Sequence, residues 1–130
     1  MFLTVIKGIK SGTVYSLNKS DITVIGRGEE CDIRILDLLI SRRHCQIRWK
    51  DNDFYIKDNN STNKTFLNKK IISGEEKLEP GDIISVGNTI LLFTDKEETS
   101  IKKFEDYQKM RMSKTRQQIL INETFFQDKP

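Results

Sequence analysis

From Met1 to Asp95 the chain repeats one pattern: three to seven residues in which several runs alternate apolar and polar side chains, then a cluster of Gly, Asn, Asp or Ser. Alternation of this kind suits an extended strand with one buried face, whereas a helix needs a period near 3.6. The segments are Phe2 to Lys7, Thr13 to Leu17, Ile22 to Ile25, Asp32 to Ile35, His44 to Lys50, Phe54 to Asp58, Thr65 to Leu67, Asp82 to Val86 and Thr89 to Thr94. In the fifth, Cys45, Ile47 and Trp49 face one way and Gln46, Arg48 and Lys50 the other. Between the segments lie Lys10-Ser11-Gly12, Asn18 to Asp21, Asp51-Asn52-Asp53, Asp58 to Asn63, Glu79 to Asp82 and Gly87-Asn88, residues that suit tight turns. Short strands at such spacing predict an all-β sandwich or barrel. Gly87-Asn88 between Val86 and Thr89 predicts a two-residue hairpin, expected to lie near the N-terminal strand.

One core is what 130 residues accommodate, without disulfide or metal staples. Cys31 and Cys45 show neither a CxxC pattern nor metal-ligand spacing with histidine, so they are expected to be small core residues, with no metal and no cofactor. No apolar run approaches the roughly 18–20 residues that cross a bilayer, and the N-terminus has no signal-peptide pattern. A soluble, cytoplasmic protein is expected. Residues 1–95 carry 14 basic and 13 acidic side chains, a near-neutral body that argues against a duplex nucleic-acid binder, which must neutralise many phosphates.

After Asp95 the composition changes. Residues 96–118 contain no Gly or Pro, and Ile101, Phe104, Tyr107 and Met110 recur three apart. This spacing predicts a helix from Lys96 to Gln118, with Thr99 or Ser100 as N-cap and Asn122 near its far end. The chain therefore divides into a body over 1–95 and a helical extension or linker over 96–130. Between Ser100 and Gln117 the extension has six basic and two acidic residues. It is expected to pack on the sandwich edge, to touch a neighbouring chain, or to connect to another domain, and phosphorylation of Thr99 or Thr115 would offer a ligand for this molecule's own site or a neighbour's.

Four separated motifs stand out in the body: Gly26-Arg27-Gly28; Ile40-Ser41-Arg42-Arg43-His44; Asp58-Asn59-Asn60-Ser61-Thr62-Asn63-Lys64-Thr65-Phe66-Leu67-Asn68; and Gly81-Asp82-Ile83-Ile84-Ser85-Val86-Gly87. In order and spacing they resemble the forkhead-associated (FHA) domain over roughly residues 3 to 94. The resemblance implies an eleven-strand β-sandwich that binds phosphothreonine peptides and recruits partners phosphorylated by a serine/threonine kinase. It also implies that Arg27, Ser41, Arg42 and Thr62 approach the phosphate, that Asn63 fixes the peptide main chain, and that His44 braces the serine loop without touching ligand.

The chemistry suits such residues. A threonine phosphate brings about −1.5 to −2 charges and three strong acceptor oxygens. Arg27 between two glycines offers a planar fork of donors, Ser41 and Thr62 offer hydroxyls, and Asn63 both donates and accepts. Gly26 and His44 read as structural support, and Gly81-Asp82 and Gly87 as turn residues. One position departs from the family, which commonly has glycine where this chain has Lys64; a left-handed backbone there would cost lysine about 1 kcal/mol or more. In the family the loop before the serine helps to read the third residue after phosphothreonine. Here that loop is Asp37-Leu38-Leu39-Ile40, and Leu39 favours an apolar partner.

Two other classes fare worse. A hydrolase built on Ser41 and His44 lacks a G-x-S-x-G elbow and a third partner, so no enzyme is expected. A nucleic-acid binder using Arg42, Arg43, Arg48 and the basic extension would bind weakly and with steep salt dependence. The alternative within the family is an FHA-like fold with a degraded phosphate site, serving as a phospho-independent interaction or oligomerisation module.

Overall fold

Eleven strands make up two facing sheets over residues 1–96, the part of the chain that the computed structural model describes. They are β1 (Phe2–Lys7), β2 (Val14–Ser16), β3 (Thr23–Gly26), β4 (Ile33–Arg34), β5 (Cys45–Lys50), β6 (Asp53–Asp58), β7 (Thr65–Leu67), β8 (Lys70–Ile71), β9 (Glu75–Lys77), β10 (Ile83–Val86) and β11 (Thr89–Thr94). One sheet runs β2-β1-β11-β10-β7-β8 and the other β4-β3-β5-β6-β9. All the neighbouring pairs are antiparallel except β3 and β4. The all-β, eleven-strand expectation is met, and the last hairpin lies against β1, with Leu3 opposite Phe93. The helix expected from Lys96 to Gln118, like the extension over 96–130, falls outside the described residues except for Lys96 itself.

The alternating residues supply the core. Leu3 and Val5 of β1, Ile84 and Val86 of β10, and Leu91 and Phe93 of β11 meet Ile25, Cys45, Ile47, Phe54 and Ile56 from the other sheet. Each such side chain withdrawn from water contributes roughly 1.5–3 kcal/mol before the entropy of folding is counted. Phe54 packs edge-on against Phe93 at 6.0 Å between ring centroids and against Trp49 at 4.8 Å, joining the two layers through aromatic contacts.

Cys45 meets its expectation: it is fully buried, and loss of solvent pushes its thiol up to about 12, which keeps it an unreactive thiol. Cys31 does not. It is only half-buried, at the surface beside β3, where its thiol donates to the Arg42 carbonyl at 2.8 Å.

Turn chemistry sets the registers. Asp51 and Asn52 both have positive φ (52° and 65°) where β5 turns into β6, and Asn68 and Lys69 (51° and 72°) do the same between β7 and β8. Positive φ at both central residues gives the twist that a two-residue hairpin needs. Gly87-Asn88 forms the hairpin expected of it, with Val86 opposite Thr89. On the solvent face of β5, Arg48 and Lys50 both grip Glu75 of the edge strand β9 and hold its carboxyl down at about 2.

Register also decides where the loops go. Ile25 lies opposite Cys45, and Cys45 opposite Asp58. The end of β3, the start of β5 and the end of β6 therefore lie side by side, and the connections that leave them share one tip of the sandwich. Among the described residues, no helix is long and apolar enough to cross a membrane, and no three metal-ligating side chains come together.

Candidate functional site

Arg27 leaves the end of β3 and is tied at once to the serine loop. Its amide donates to the Ser41 carbonyl and its Nε to the Ile40 carbonyl, both at 3.0 Å. This fixes the plane of the guanidinium and leaves its two terminal amino groups without a partner among the described residues. Gly26 has to be glycine: a Cβ there would lie 2.2 Å from the Arg42 carbonyl oxygen and 2.8 Å from the Cys31 sulfur. Backbone and sulfur leave no room for a methyl group.

Ser41 is the junction between two loops. Its Oγ accepts the Thr62 amide hydrogen at 3.0 Å, so its own hydroxyl hydrogen remains available to an anion. The Thr62 hydroxyl and the Arg42 amide hydrogen have no partner among the described residues, and Thr62 is exposed. Asn63 donates through Nδ2 to the Leu39 carbonyl at 2.8 Å, which pins the second loop to the first and leaves its amide oxygen to receive a donor. Arg27, Ser41, Thr62 and Asn63 are thus brought together from three connections by hydrogen bonds that run between those connections.

Arg42 is placed differently from the expectation that it adds a second free positive head. Its backbone belongs to the site, but its guanidinium holds both carboxylate oxygens of Glu30, at 3.1 and 3.2 Å. The Glu30 backbone amide and the Arg42 guanidinium keep that carboxyl below its usual range. The two side chains are 65% and 41% exposed, and exposed pairs of this kind are weak, so a phosphate can compete for Arg42.

Behind the loops stands His44, wholly buried. Its Nδ1 accepts the Ser41 amide hydrogen at 3.0 Å, and its Nε2 lies 2.8 Å from the Lys64 carbonyl oxygen. An Nδ1 that accepts must be unprotonated, so Nε2 carries the hydrogen and donates it. One imidazole therefore ties the serine loop to the threonine loop. Asp58 secures the second loop in turn: its carboxylate receives the Ser61 amide (3.0 Å), the Ser61 hydroxyl and the Thr65 hydroxyl (2.6 Å). Burial alone would raise its pKa, but these hydrogen bonds outweigh it and hold the carboxyl below its usual value.

Lys64 has φ 67°, in the left-handed region, with its carbonyl turned toward His44. A lysine there carries roughly 1–2 kcal/mol of strain, partly offset because glycine loses more freedom on folding. Lys64→Gly is expected to gain about 0.5 kcal/mol, a rise in Tm of roughly 2–4 °C. Thermal denaturation followed by circular dichroism checks this, and a lowered Tm contradicts it.

Asp37 carries more than its place in a specificity loop predicted. It is buried, caps Leu39 through Oδ1 at 2.9 Å, and receives the Asn88 amide (2.7 Å) and the Thr89 hydroxyl (3.1 Å) through Oδ2. The serine loop is thereby bolted to the β10–β11 hairpin across the sandwich. The signal in the sequence was an Asp two residues before Leu39 in an otherwise apolar run, a spacing that favours capping of the following backbone. Leu38 and Leu39 remain 87% and 45% exposed beside Ser41.

Comparison with known proteins places this arrangement. The FHA domain family model matches residues 23–87. The FHA domain-containing protein FhaA of Mycobacterium tuberculosis is 37% identical over 82 residues, 63% of this chain and 15% of FhaA. The glycogen accumulation regulator GarA of the same organism is 33% identical over 91 residues, 70% of this chain and 55% of GarA. The chain thus spans about half of one relative and less of the other. A solved FHA domain, studied for its phosphothreonine-dependent interactions, superposes with a TM-score of 0.65 at 32% identity, over 75% of this chain and all of that one.

Proposed function

The chain belongs to the FHA domain family, and from that premise we propose that its tip binds phosphothreonine in partner proteins, recruiting them after a serine/threonine kinase has acted, with no catalysis of its own and in the cytoplasm. The observation that carries this reading is the tie between Ser41 Oγ and the Thr62 amide beside a guanidinium fixed only through its Nε. It leaves two hydroxyls and the terminal amino groups of Arg27 unspent, and they match a group with three acceptor oxygens and a charge near −2. Arg42 joins them by exchanging Glu30 for phosphate. Asn63 holds the peptide main chain through its amide oxygen, and the exposed Leu38 and Leu39 favour an apolar side chain on the peptide's C-terminal flank.

The test is a fluorescence titration with a phosphothreonine peptide selected from a degenerate library, alongside its unphosphorylated twin. Binding on the order of micromolar, about −8 kcal/mol, is expected for the first and none for the second. Equal affinities would favour a phospho-independent interaction module on the same fold.

A further inference from the structure

Beside the phosphothreonine tip, on the solvent face of β5 and β6, lies a groove of about 500 Å³ lined by Arg43, Gln46, Lys57, Asp58, Asn59 and Asn60. Its place follows from register. Gln46 is paired across the strands with Lys57, so both side chains project away from the core formed by Cys45, Ile47 and Ile56. Arg43 follows Arg42 directly, and Asn59 and Asn60 lead into Ser61 and Thr62. The groove is therefore continuous in sequence with both loops of the site.

The distribution of charge on this face is uneven. Farther along β5, Arg48 and Lys50 are both engaged by the Glu75 carboxylate, and Lys77 faces Asp53. Nearer the tip, Arg43 and Lys57 are exposed and have no hydrogen bond or ion pair with a described residue. The Glu30 carboxylate acts on Arg43 only through its field, its oxygens being held by Arg42. The acidic member of the lining, Asp58, has both oxygens engaged by Ser61 and Thr65. Two unspent cations, with the side-chain amides of Gln46, Asn59 and Asn60 around them, suit an anionic group of modest size.

We propose that this groove is a second anion subsite, which takes an acidic residue, carboxylate or phosphate, on the same peptide whose phosphothreonine occupies the tip. The proposal rests on the phosphothreonine reading above. It gives the module a preference for partners that are acidic or doubly phosphorylated near the bound threonine. Cations poised beside a docking site also raise the rate of encounter with such partners.

The experiment uses the full chain and a fluorescein-labelled peptide library with one fixed phosphothreonine and degenerate flanks. Each flanking position is set in turn to alanine, aspartate or a second phosphothreonine. At one or two neighbouring positions aspartate is expected to improve affinity about threefold and the second phosphate about tenfold over alanine, steps of roughly 0.7 and 1.4 kcal/mol. In the Arg43→Ala/Lys57→Ala double variant, and separately in Lys57→Glu, the gain should vanish while the alanine-flanked peptide binds as before. Gain from aspartate and phosphate together identifies charge as what is read, and gain from phosphate alone identifies a phosphate subsite. Absence of gain at every position, or a gain that survives both variants, overturns the proposal while leaving the phosphothreonine reading intact. If the alanine-flanked library fails to bind the unaltered protein, both readings fall.

Discussion

Arg27→Ala is expected to lower phosphothreonine-peptide affinity at least 100-fold while leaving the sandwich folded. The arginine's terminal amino groups supply charge-assisted hydrogen bonds to a phosphate, each worth about 1.5–3 kcal/mol, so their joint loss exceeds roughly 3 kcal/mol, more than two powers of ten in Kd. Within the protein the side chain makes one hydrogen bond, from Nε to the Ile40 carbonyl, and its loss costs about 1 kcal/mol of stability. Calorimetric titration and a thermal melt of the same sample check the two halves. A variant that binds within a few-fold of the unaltered protein would mean that the phosphate sits elsewhere. Arg27→Lys should recover only part of the affinity, because a point charge on a flexible stem cannot reproduce a planar fork held in place at Nε.

His44→Ala predicts the reverse balance, a loss of folding first and of binding as its consequence. Removal of the imidazole leaves the Ser41 amide and the Lys64 carbonyl without their partner, in a place closed to solvent. A stranded buried group costs about 1–3 kcal/mol, and the volume left by the ring adds a cavity penalty. A total on the order of 3–4 kcal/mol should lower Tm by roughly 12–30 °C for a domain of this size. At temperatures where the variant remains folded, affinity should still fall, since the Ser41 and Thr62 loops no longer share a brace. Chemical denaturation together with a cold titration measures both. A stability change within about 0.5 kcal/mol, the range typical of surface substitutions, would contradict the bracing role.

The sequence disclosed elements wherever a physical rule left a periodic trace. β1, β5, β6 and β11 alternate apolar and polar residues or carry a continuous apolar run, because one face of each must meet the opposite sheet. β8 and β9 went unread for the opposite reason: Lys70–Ile71 and Glu75–Lys77 are short and exposed or half-buried at the sheet edges, and polar residues at an edge look like loop. The spacing of Arg27, Ser41, Thr62 and Asn63 was legible because each stands in a motif whose neighbours are constrained by backbone, as Gly26 is by the Arg42 carbonyl. The pairing of Arg42 with Glu30 left no trace. The two are 12 residues apart in the chain, exposed, and joined only because the serine loop folds back over the end of β3. The surroundings of Cys31 leave no trace on similar grounds: nothing in the sequence around it distinguishes a half-exposed thiol that donates to a loop carbonyl from a core residue such as Cys45.

The groove lined by Arg43 and Lys57 is likewise invisible in the sequence. In the sequence their charges are simply part of a near-neutral body, whereas in the fold Lys57 lies opposite Gln46 and shares a groove with Arg43, and the Glu75 carboxylate engages Arg48 and Lys50 instead. Net charge is blind to such local excess, which the field near a binding loop registers directly.

The central claim is that Arg27, Ser41 and Thr62 act on one anion at one tip. A proton–nitrogen NMR titration with a phosphothreonine peptide tests it most directly, with the Arg27 Nε–H and the backbone amides of residues 41, 42, 62 and 63 followed together. These signals are expected to shift more than any others, along a single saturation curve at one peptide per chain, and to stay still with the unphosphorylated twin. Shifts centred on another face, or equal shifts with both peptides, would contradict it.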